Sequence, residues 1–365
     1  MGHHLQAGKL MLCAQSQLLL RNQSLFGVGK WALVNPGDTQ IFSELETEAS
    51  LPNAPTLFGL HQYYDTYKAL ASSSPNTHFF SAAFDQSQTG ELDGIVIYMP
   101  KAKQHLDMLI ANMAQLLKPD GLLLVVGENK GGIKSVAKQL ERFCFNINKT
   151  DSAKHCGLIS GQVSAEKTNG HNFDIDKYAV TRSYEINQQS IKVLSLPGVF
   201  GHKQLDPGTA LLLQQFADHK QVKQMRGQFY DFACGTGVIA CYFLSLSERL
   251  KATLSDISAL ALYCAERSLA LNGLQGKVVA SDGMQEINGS FDHILSNPPF
   301  HEGLKNDYGI TLNFIKTAHA KANRGCKLTI VANRFLPYPE HIQNTFHSFS
   351  VLCKTNKFSV YQGSK

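Results

Sequence analysis

The sequence lacks three features that would define its class at once: a long apolar run, a closely spaced cysteine pair and an export signal. No apolar stretch approaches the length of a membrane-spanning helix, and the run at residues 122–126 has the length of a buried strand. The eight cysteines are scattered without C-x-x-C spacing, which argues against a zinc ribbon or a disulfide framework. The N-terminus has no charged segment followed by an apolar one. These absences predict a cytoplasmic protein with reduced thiols.

A large excess of one charge is also missing. The formal net charge is only +5, and it is unevenly divided. Residues 1–190 carry 16 basic and 17 acidic side chains, whereas residues 191–365 carry 18 and 12. The positive excess therefore lies in the C-terminal half, where it is compatible with a polyanionic partner and equally with an ordinary solvated surface.

One α/β pattern occurs twice along the chain, whose 365 residues are enough for two domains. In the first half, a strand pattern ending near Pro100 is followed by a helix and a second strand, and the same order recurs after Pro299. We therefore predict a duplicated α/β domain, divided into residues 1–185 and 186–365. The first copy has Met99-Pro100-Lys101 where the second has Asn-Pro-Pro-Phe, and no glycine-rich turn precedes it. It is predicted to be catalytically empty.

The second copy has an apolar strand pattern that ends in Asn297-Pro298-Pro299-Phe300. Adjacent prolines lack N–H groups and fix φ, so they end the strand in a rigid turn and leave the carbonyl oxygens of Asn297 and Pro298 available as acceptors. An aromatic side chain directly afterwards can stack on a flat ring that carries an amino group. A plain turn followed by a core phenylalanine is the alternative interpretation.

A small-residue turn between a strand and a helix precedes that stretch. The strand contains Asp231, the turn contains Gly235 and Gly237, and an apolar helix pattern follows. Glycines let the backbone approach a ligand, and the helix N-terminus offers free N–H groups to an anion. Such a turn alone is a weak signal, because it also serves tight packing.

Two later acids strengthen this signal. Asp256 ends a second strand 25 residues after Asp231, where a doubly wound fold places the carboxylate that binds ribose hydroxyls. Asp282 ends a third strand, where a side chain can accept from an adenine amino group. Each acid alone is as well explained as a helix N-cap. At the tips of consecutive strands beside the glycine turn, ligand contact is favoured.

Taken in this order, the D-x-A-C-G-x-G turn, the two acids and Asn-Pro-Pro-Phe resemble the motifs of class I S-adenosylmethionine-dependent amino-methyltransferases. Over residues 90 to 361 the chain is similar, more closely, to the 16S rRNA guanine-N2 methyltransferase family. The stretches that carry this resemblance are Leu196-Pro-Gly-Val-Phe200, Leu205-Asp206, Ser296-Asn-Pro-Pro-Phe-His301, Ile330-Val-Ala-Asn-Arg-Phe-Leu-Pro-Tyr-Pro339, Tyr98-Met-Pro-Lys101, Val125-Val-Gly-Glu-Asn129 and Asp151-Ser-Ala.

The resemblance implies two tandem Rossmann-like class I methyltransferase domains, each with a mostly parallel seven-stranded sheet flanked by helices, of which the N-terminal copy is degenerate. It implies S-adenosyl-L-methionine as cofactor and methylation of N2 of one guanine of 16S rRNA in the small ribosomal subunit, by a monomer that needs neither metal nor membrane. The implied catalytic residues are Asn297, Pro298 and Phe300. The implied cofactor-binding residues are Asp231, Ala233, Gly235, Gly237, Asp256, Asp282 and Phe200.

Three of these positions carry a reservation. Ala233 replaces the first glycine of the usual G-x-G-x-G turn, and we expect its methyl group to be tolerated if the local φ is negative. The family often has asparagine at Asp282, and either side chain supplies an acceptor oxygen. Phe200 is expected to close over the cofactor, with core packing as the alternative.

Candidate RNA contacts are His301, Arg334 and a stretch at residues 118–154 with seven basic and four acidic side chains. Ordinary surface positions explain them almost as well. Two other functions fit the motifs: an amino-methyltransferase acting on a protein glutamine or on adenine, and a ribosome assembly factor that binds RNA without catalysis. The basic residues of the stretch are Lys118, Lys130, Lys134, Lys138, Arg142, Lys149 and Lys154.

Overall fold

A computed structural model describes residues 12–48, 55–74, 76–298 and 306–365. Backbone contacts divide the chain into two units, a first that ends at Tyr178 and a second that comprises Ala179–Lys365. Among the described residues, no helix is long and apolar enough to cross a membrane.

The first unit is a seven-stranded sheet in the order β3-β2-β1-β4-β5-β7-β6. Neighbouring strands are parallel, except that β7 runs antiparallel to both β5 and β6. Its strands are β1 Gly29–Val34, β2 Pro55–His61, β3 His78–Phe80, β4 Leu92–Tyr98, β5 Leu117–Glu128, β6 Cys144–Ala153 and β7 Cys156–Val163. Its helices are α1 Ala14–Arg21, α2 Gln40–Glu48, α3 Tyr64–Ala71, α4 Gln86–Thr89, α5 Lys103–Ala114, α6 Val136–Leu140 and α7 Ala165–Thr168.

The second unit begins with a two-stranded antiparallel hairpin and then repeats the same sheet, in the order β12-β11-β10-β13-β14-β16-β15. Its strands are β8 Val180–Ile186, β9 Gln189–Ser195, β10 Gly227–Phe232, β11 Leu250–Asp256, β12 Lys277–Ala280, β13 Phe291–Ser296, β14 Ala322–Asn333, β15 Ser348–Lys354 and β16 Phe358–Ser364. Its helices are α8 Pro207–Gln214, α9 His219–Gln224, α10 Val238–Leu246, α11 Ala259–Leu271, α12 Asn306–Ala320 and α13 Tyr338–Thr345.

The fold class predicted from the sequence is confirmed, because both sheets have the strand order and mostly parallel pairing of a Rossmann-like methyltransferase domain. The domain boundary differs from the prediction. The position between residues 185 and 186 lies inside β8, whose residues pair with β9 along its whole length. A strand that forms a hairpin with its successor belongs to the same unit, so the contacts place the division before β8.

Both faces of each sheet are covered by helices, which explains the continuous apolar strands. In β4, Ile95 and Ile97 pack into a core with α5, whereas Val96 packs on the opposite face with α1. Because successive strand residues point to opposite faces, a strand buried on both sides must be apolar at every position. The sequence run at 94–98 has this property.

Each sheet contains an equivalent hydrogen bond between an aspartate side chain and the backbone of the neighbouring strand. The Asp93 carboxylate in β4 accepts a hydrogen bond of 2.8 Å from the Lys30 amide in β1. At the corresponding place, the Asp292 carboxylate in β13 accepts one of 2.7 Å from the Gln228 amide in β10. The repeat therefore extends to individual hydrogen bonds, as expected of a duplicated domain.

The packing of α10 against α11 predicts unequal effects of two glycine substitutions. Gly237 has φ +76, and a Cβ there would lie 3.1 Å from the Cα and Cβ atoms of Ala265 in α11. Gly235 has φ +53, but a Cβ there would meet nothing within 4 Å. We expect Gly237→Ala to lower the free energy of unfolding by about 3 kcal/mol, because left-handed strain and a helix clash add.

Gly235→Ala is the matched control, and it should cost only the left-handed strain of about 1 kcal/mol. Urea unfolding of both variants checks the difference. Equal losses would mean that the contact with α11 does not constrain Gly237.

Candidate functional site

The candidate site lies at the carboxyl edge of the second sheet, where four neighbouring strands end. The order β12-β11-β10-β13 places Asp282, Asp256, the glycine turn and Asn297 after consecutive neighbours in the sheet. Parallel strands end at the same edge, so these groups come together although they are far apart in sequence. The structure thus assembles the predicted strand-end residues at one place.

The turn after β10 is closed by backbone hydrogen bonds and has an open side. The Gly237 amide donates to the Cys234 carbonyl at 2.8 Å, and the Cys234 amide donates to the Ser255 carbonyl in β11 at 2.9 Å. Open space surrounds the Cα of Gly235 where a side chain would stand. A ligand can therefore approach the backbone at Gly235.

The condition under which the methyl group of Ala233 would be tolerated without strain is not met. Its φ is +53, in the left-handed region. The turn requires this geometry in both sheets, because Asn35, which follows β1 directly, has φ +50. Ala233 therefore adopts a conformation that costs an L-residue about 1–2 kcal/mol.

Asp231 fastens the turn to the helix that follows. Its side chain is wholly buried, and its Oδ2 accepts a hydrogen bond of 3.1 Å from the Ala240 amide in the first turn of α10. Its Oδ1 has no hydrogen-bond partner in the described structure. Burial and the nearby Asp256 carboxylate raise the pKa of Asp231 to about 8, although the Ala240 amide opposes this rise.

Asp256 links the end of β11 to the glycine turn. Its Oδ2 accepts from the Gly235 amide and its Oδ1 from the Ser258 amide, both at 2.9 Å. The N-cap of α11 is Ser258 rather than Asp256, so the N-cap interpretation does not account for this acid. The Ile257 amide also hydrogen-bonds to this carboxylate, and three donors leave acceptor capacity for a hydroxyl group among its roughly four lone-pair sites. Burial raises the pKa of Asp256.

Asp282 follows β12 in a turn that is held from both sides. The Ser281 amide donates to the Asp256 carbonyl at 3.1 Å. The Ser281 hydroxyl and the Asp282 amide donate to Glu286 Oε2 at 2.9 and 3.1 Å. Glu286 was missed by the sequence analysis, and it positions Asp282 by folding back on the backbone.

Asn297 has a side-chain amide that is held by two hydrogen bonds. Its amide nitrogen donates to Asp206 Oδ2 and to Thr209 Oγ1, both at 2.8 Å. A carboxylate can only accept, so the NH₂ group must face Asp206 and the orientation of the amide is fixed. Asn297 Oδ1 is buried and has no hydrogen-bond partner in the described structure. This oxygen is therefore left to accept from a ligand N–H.

Asp206 has two roles at once. It is the N-cap of α8, since its Oδ2 also accepts a hydrogen bond of 2.9 Å from the Thr209 amide. The sequence Leu205-Asp206-Pro207-Gly208 predicts the start of a helix, and α8 begins there. The sequence gives no sign that the same carboxylate orients a side chain 91 residues away.

The remaining predicted residues differ in what the structure says of them. Pro298 is buried. Phe300, like Pro299 and His301, lies outside the described residues. Phe200 is 60% exposed, which excludes core packing, the alternative considered for it. In the described part of the chain, no group of His, Cys, Asp and Glu side chains has the arrangement of a metal site.

The first sheet carries different residues at the corresponding positions. The strand registers align Leu33 with Asp231, His61 with Asp256 and Tyr98 with Asn297. All three side chains of the first sheet are buried, and burial lowers the pKa of His61 to about 3, so this histidine is neutral. The Tyr98 hydroxyl shares a hydrogen bond of 2.8 Å with Ser16 Oγ. Core packing has replaced the site in this copy.

Removing the methyl group of Ala233 is expected to stabilise the protein. Ala233→Gly relieves left-handed strain of about 1–2 kcal/mol, from which the greater flexibility of unfolded glycine subtracts about 0.5–1 kcal/mol. The net gain of about 1 kcal/mol should appear as a higher thermal midpoint. Ala69→Gly, in exposed helix α3, is the control and should lower stability by about 1 kcal/mol. Equal losses in both variants would contradict the strain at Ala233.

The raised pKa of Asp231 predicts a pH-dependent stability. The folded pKa of about 8 lies above the ordinary value of about 4, so the bound proton favours the folded state most below pH 4. This contribution should fall as pH rises from about 4 to about 8. Asp231→Asn keeps an acceptor for Ala240 but cannot titrate. Urea unfolding at pH 6, 7 and 8 should show wild-type stability declining relative to the variant, and parallel curves would contradict a protonated Asp231.

Comparisons with known proteins identify the family of the chain. The methyltransferase small domain model matches residues 190–362, and the model of its N-terminal domain matches residues 16–181. The chain is 42% identical to the ribosomal RNA small subunit methyltransferase C of Pseudoalteromonas atlantica, over 96% of this chain and 99% of that protein. It is 38% identical to the protein of the same name from Alteromonas mediterranea, over 97% and 100%.

A solved structure shows the same fold over both units. It is the T. thermophilus 16S rRNA N2 G1207 methyltransferase in complex with AdoMet and guanosine, with a TM-score of 0.81 and 19% identity, covering 97% of this chain and 92% of that chain. By its full-length identity to the curated relatives, the chain belongs to the ribosomal RNA small subunit methyltransferase C family.

Proposed function

We propose that the protein transfers the methyl group of S-adenosyl-L-methionine to the exocyclic N2 of a guanine in 16S rRNA of the small ribosomal subunit. The observation that carries this proposal is the oriented amide of Asn297, whose unpaired Oδ1 lies at the sheet edge beside the glycine turn. The names of the full-length relatives favour rRNA over a protein glutamine or adenine as the substrate. G1207, named for the T. thermophilus enzyme, is the guanine we propose.

The residues of the sheet edge fit the cofactor. The open backbone at Gly235 admits a close ligand, with Ala233 and Gly237 setting the turn around it. The remaining acceptor capacity of Asp256 suits a ribose hydroxyl. We assign Asp282 to the adenine amino group, Asp231 to the support of the turn, and exposed Phe200 to cover the bound cofactor. When bound, S-adenosylmethionine supplies a methyl group on an electron-poor sulfonium.

Asn297 and Pro298 activate the target amine in this mechanism. The lone pair of guanine N2 is conjugated with the ring, which makes the amine a poor nucleophile. Hydrogen bonds from its two N–H groups to Asn297 Oδ1 and the Pro298 carbonyl oxygen favour the pyramidal amine, which develops positive charge in the transition state. Asp206 and Thr209 hold the acceptor in place before substrate arrives. Phe300 is assigned to stack on the base.

The geometry also restricts where the target base can be. The edge of a guanine inside a helical stack is not accessible to a buried acceptor, so the base must be extruded or lie in a loop.

In this proposal the second unit performs the chemistry. We assign the first unit to support and RNA docking, through the exposed cations between Lys130 and Lys154. Lys118 is set apart from them, because its Nζ lies 2.7 Å from Asp93 Oδ1. We expect a cytoplasmic monomer.

Loss of the Asn297 acceptor is expected to lower kcat rather than cofactor affinity. Asn297→Ala should reduce kcat by about 100- to 1,000-fold, because the acceptor acts mainly in the transition state. The assay is transfer of radiolabelled methyl groups to small ribosomal subunits that lack the modification, with RNA and protein fractions counted separately. Asn169→Ala, an exposed asparagine in the first unit, is the control and should behave as wild type.

Label in the protein fraction would contradict the proposed substrate. Full activity of Asn297→Ala would contradict the proposed mechanism. Titration calorimetry with S-adenosylmethionine should show that the variant still binds the cofactor. Cofactor binding would exclude unfolding as the cause of the lost methyl transfer.

A further inference from the structure

A second feature of the sheet edge lies beside the site on β14. The register pairs Ser296 of β13 with Ile330 of β14, so Asn297 is level with Val331. Strand β14 continues to Asn333, and Arg334 and Phe335 follow on the same edge. These two residues therefore lie beyond the level of Asn297, on the side of the sheet edge from which a substrate must enter.

Phe335 is exposed although its backbone is held firmly. Its side chain is 80% exposed, more than any other large apolar side chain in the described part of the chain. The Arg334 amide donates to the Lys357 carbonyl, and the Leu336 amide donates to the Asn333 carbonyl, both at 3.1 Å. Leu336 packs against the core and Tyr338 is buried in it. An aromatic ring exposed on an anchored backbone is available to stack on a nucleic-acid base.

Positive side chains lie next to Phe335 in sequence and on the neighbouring β15–β16 turn. Arg334, Lys354 and Lys357 are all exposed. The turn between β15 and β16 brings them together, because Arg334 Nη1 donates to the Thr355 carbonyl at 3.3 Å and Phe358 of β16 pairs with Asn333 of β14. From residue 334 to residue 358 the sequence has a single acid, Glu340. The surface thus combines an aromatic ring with a local positive charge.

We propose that this surface, formed by Arg334, Phe335, Lys354 and Lys357 and here called the flanking face, binds the RNA strand next to the target nucleotide. The inference rests on the proposed function and extends it to the neighbouring nucleotides. Phe335 stacks on one base, and the three cations contact phosphates. Extruding the target guanine unstacks its neighbours, so an exposed aromatic ring beside the site replaces the stacking that they lose.

The first sheet supports this assignment by contrast. Its register pairs Ile97 with Val125, as Ser296 pairs with Ile330. Val125 of β5 therefore corresponds to Ile330 of β14. Four and five residues further along the chain, Asn129 and Lys130 correspond to Arg334 and Phe335. The aromatic residue is present only in the copy that retains the site. A ring with a purely structural role in the fold would not be expected to be 80% exposed.

The stacking role is tested by Phe335→Ala and Phe335→Tyr. Fluorescence anisotropy measures the Kd for a short fluorescein-labelled single-stranded RNA, with sequence taken from the target loop. Phe335→Ala should weaken binding by about 5- to 150-fold without changing the salt dependence, since stacking is uncharged. Phe335→Tyr retains a ring and should bind as wild type. The thermal midpoint of both variants should stay at the wild-type value.

The phosphate contacts are tested by Lys354→Ala/Lys357→Ala. Each lost contact should reduce the slope of log K against log salt concentration by about 0.7 for single-stranded RNA. Lys220→Ala/Lys223→Ala is the matched control, with the same charge removed at the same spacing. These exposed lysines are on α9, which ends at Gln224, three residues before β10 begins at Gly227. They therefore lie near the amino end of β10, whereas the site lies at its carboxyl end. The control should leave the slope unchanged.

The outcomes separate this inference from the proposed function. Wild-type affinity and slope in the flanking-face variants would overturn the inference, while methyl transfer to rRNA would still stand. RNA binding through the flanking face by a protein that transfers no methyl group would support the inference as a binding surface and overturn the proposed function. Weakened binding to intact ribosomal subunits with normal affinity for protein-free RNA would mean that the face contacts a ribosomal protein, which also overturns it.

Discussion

The interaction on which the site depends is the pair of hydrogen bonds from the Asn297 amide to Asp206 and Thr209. A free asparagine amide can turn over and offer either a donor or an acceptor to a ligand. With a carboxylate on one side, only the orientation that directs Oδ1 away from Asp206 leaves both partners satisfied. The cost of leaving that oxygen buried and unpaired is about 1–3 kcal/mol, and the proposed hydrogen bond from a substrate N–H would remove it. Folding therefore prepares the acceptor before substrate is present.

The duplicated sheet shows what this preparation requires. Both copies keep the strand order, the aspartate that anchors the first strand and the left-handed residue after it. These features belong to the fold itself. The first copy has apolar or aromatic side chains at two of the three polar positions of the site and a buried neutral histidine at the third. The same scaffold can therefore be stable with or without the site, and the site adds strain and buried polar groups to it.

Local patterns in the sequence predicted most of the fold and the outline of the site. Apolar runs indicated the buried parallel strands, and the glycine turn and strand-end acids indicated where the chain would form its ligand edge. The conformation of Ala233 was not predictable from its identity, because alanine rarely adopts positive φ and the turn imposes it. The contact between Asp206 and Asn297 was also out of reach, since it joins a helix cap to a strand end 91 residues away. The predicted boundary fell inside β8 because this strand is mostly exposed and therefore has only a weak apolar pattern.

The measurement that tests the account most directly is the identity of the methylated nucleoside. Small ribosomal subunits that lack the modification would be incubated with the protein and labelled S-adenosylmethionine, and the RNA would be digested to nucleosides and separated by chromatography. The account predicts that the label comigrates with N2-methylguanosine. Label in N6-methyladenosine or in a ring-methylated guanosine would show that the Asn297 acceptor serves a different atom, and would contradict the account.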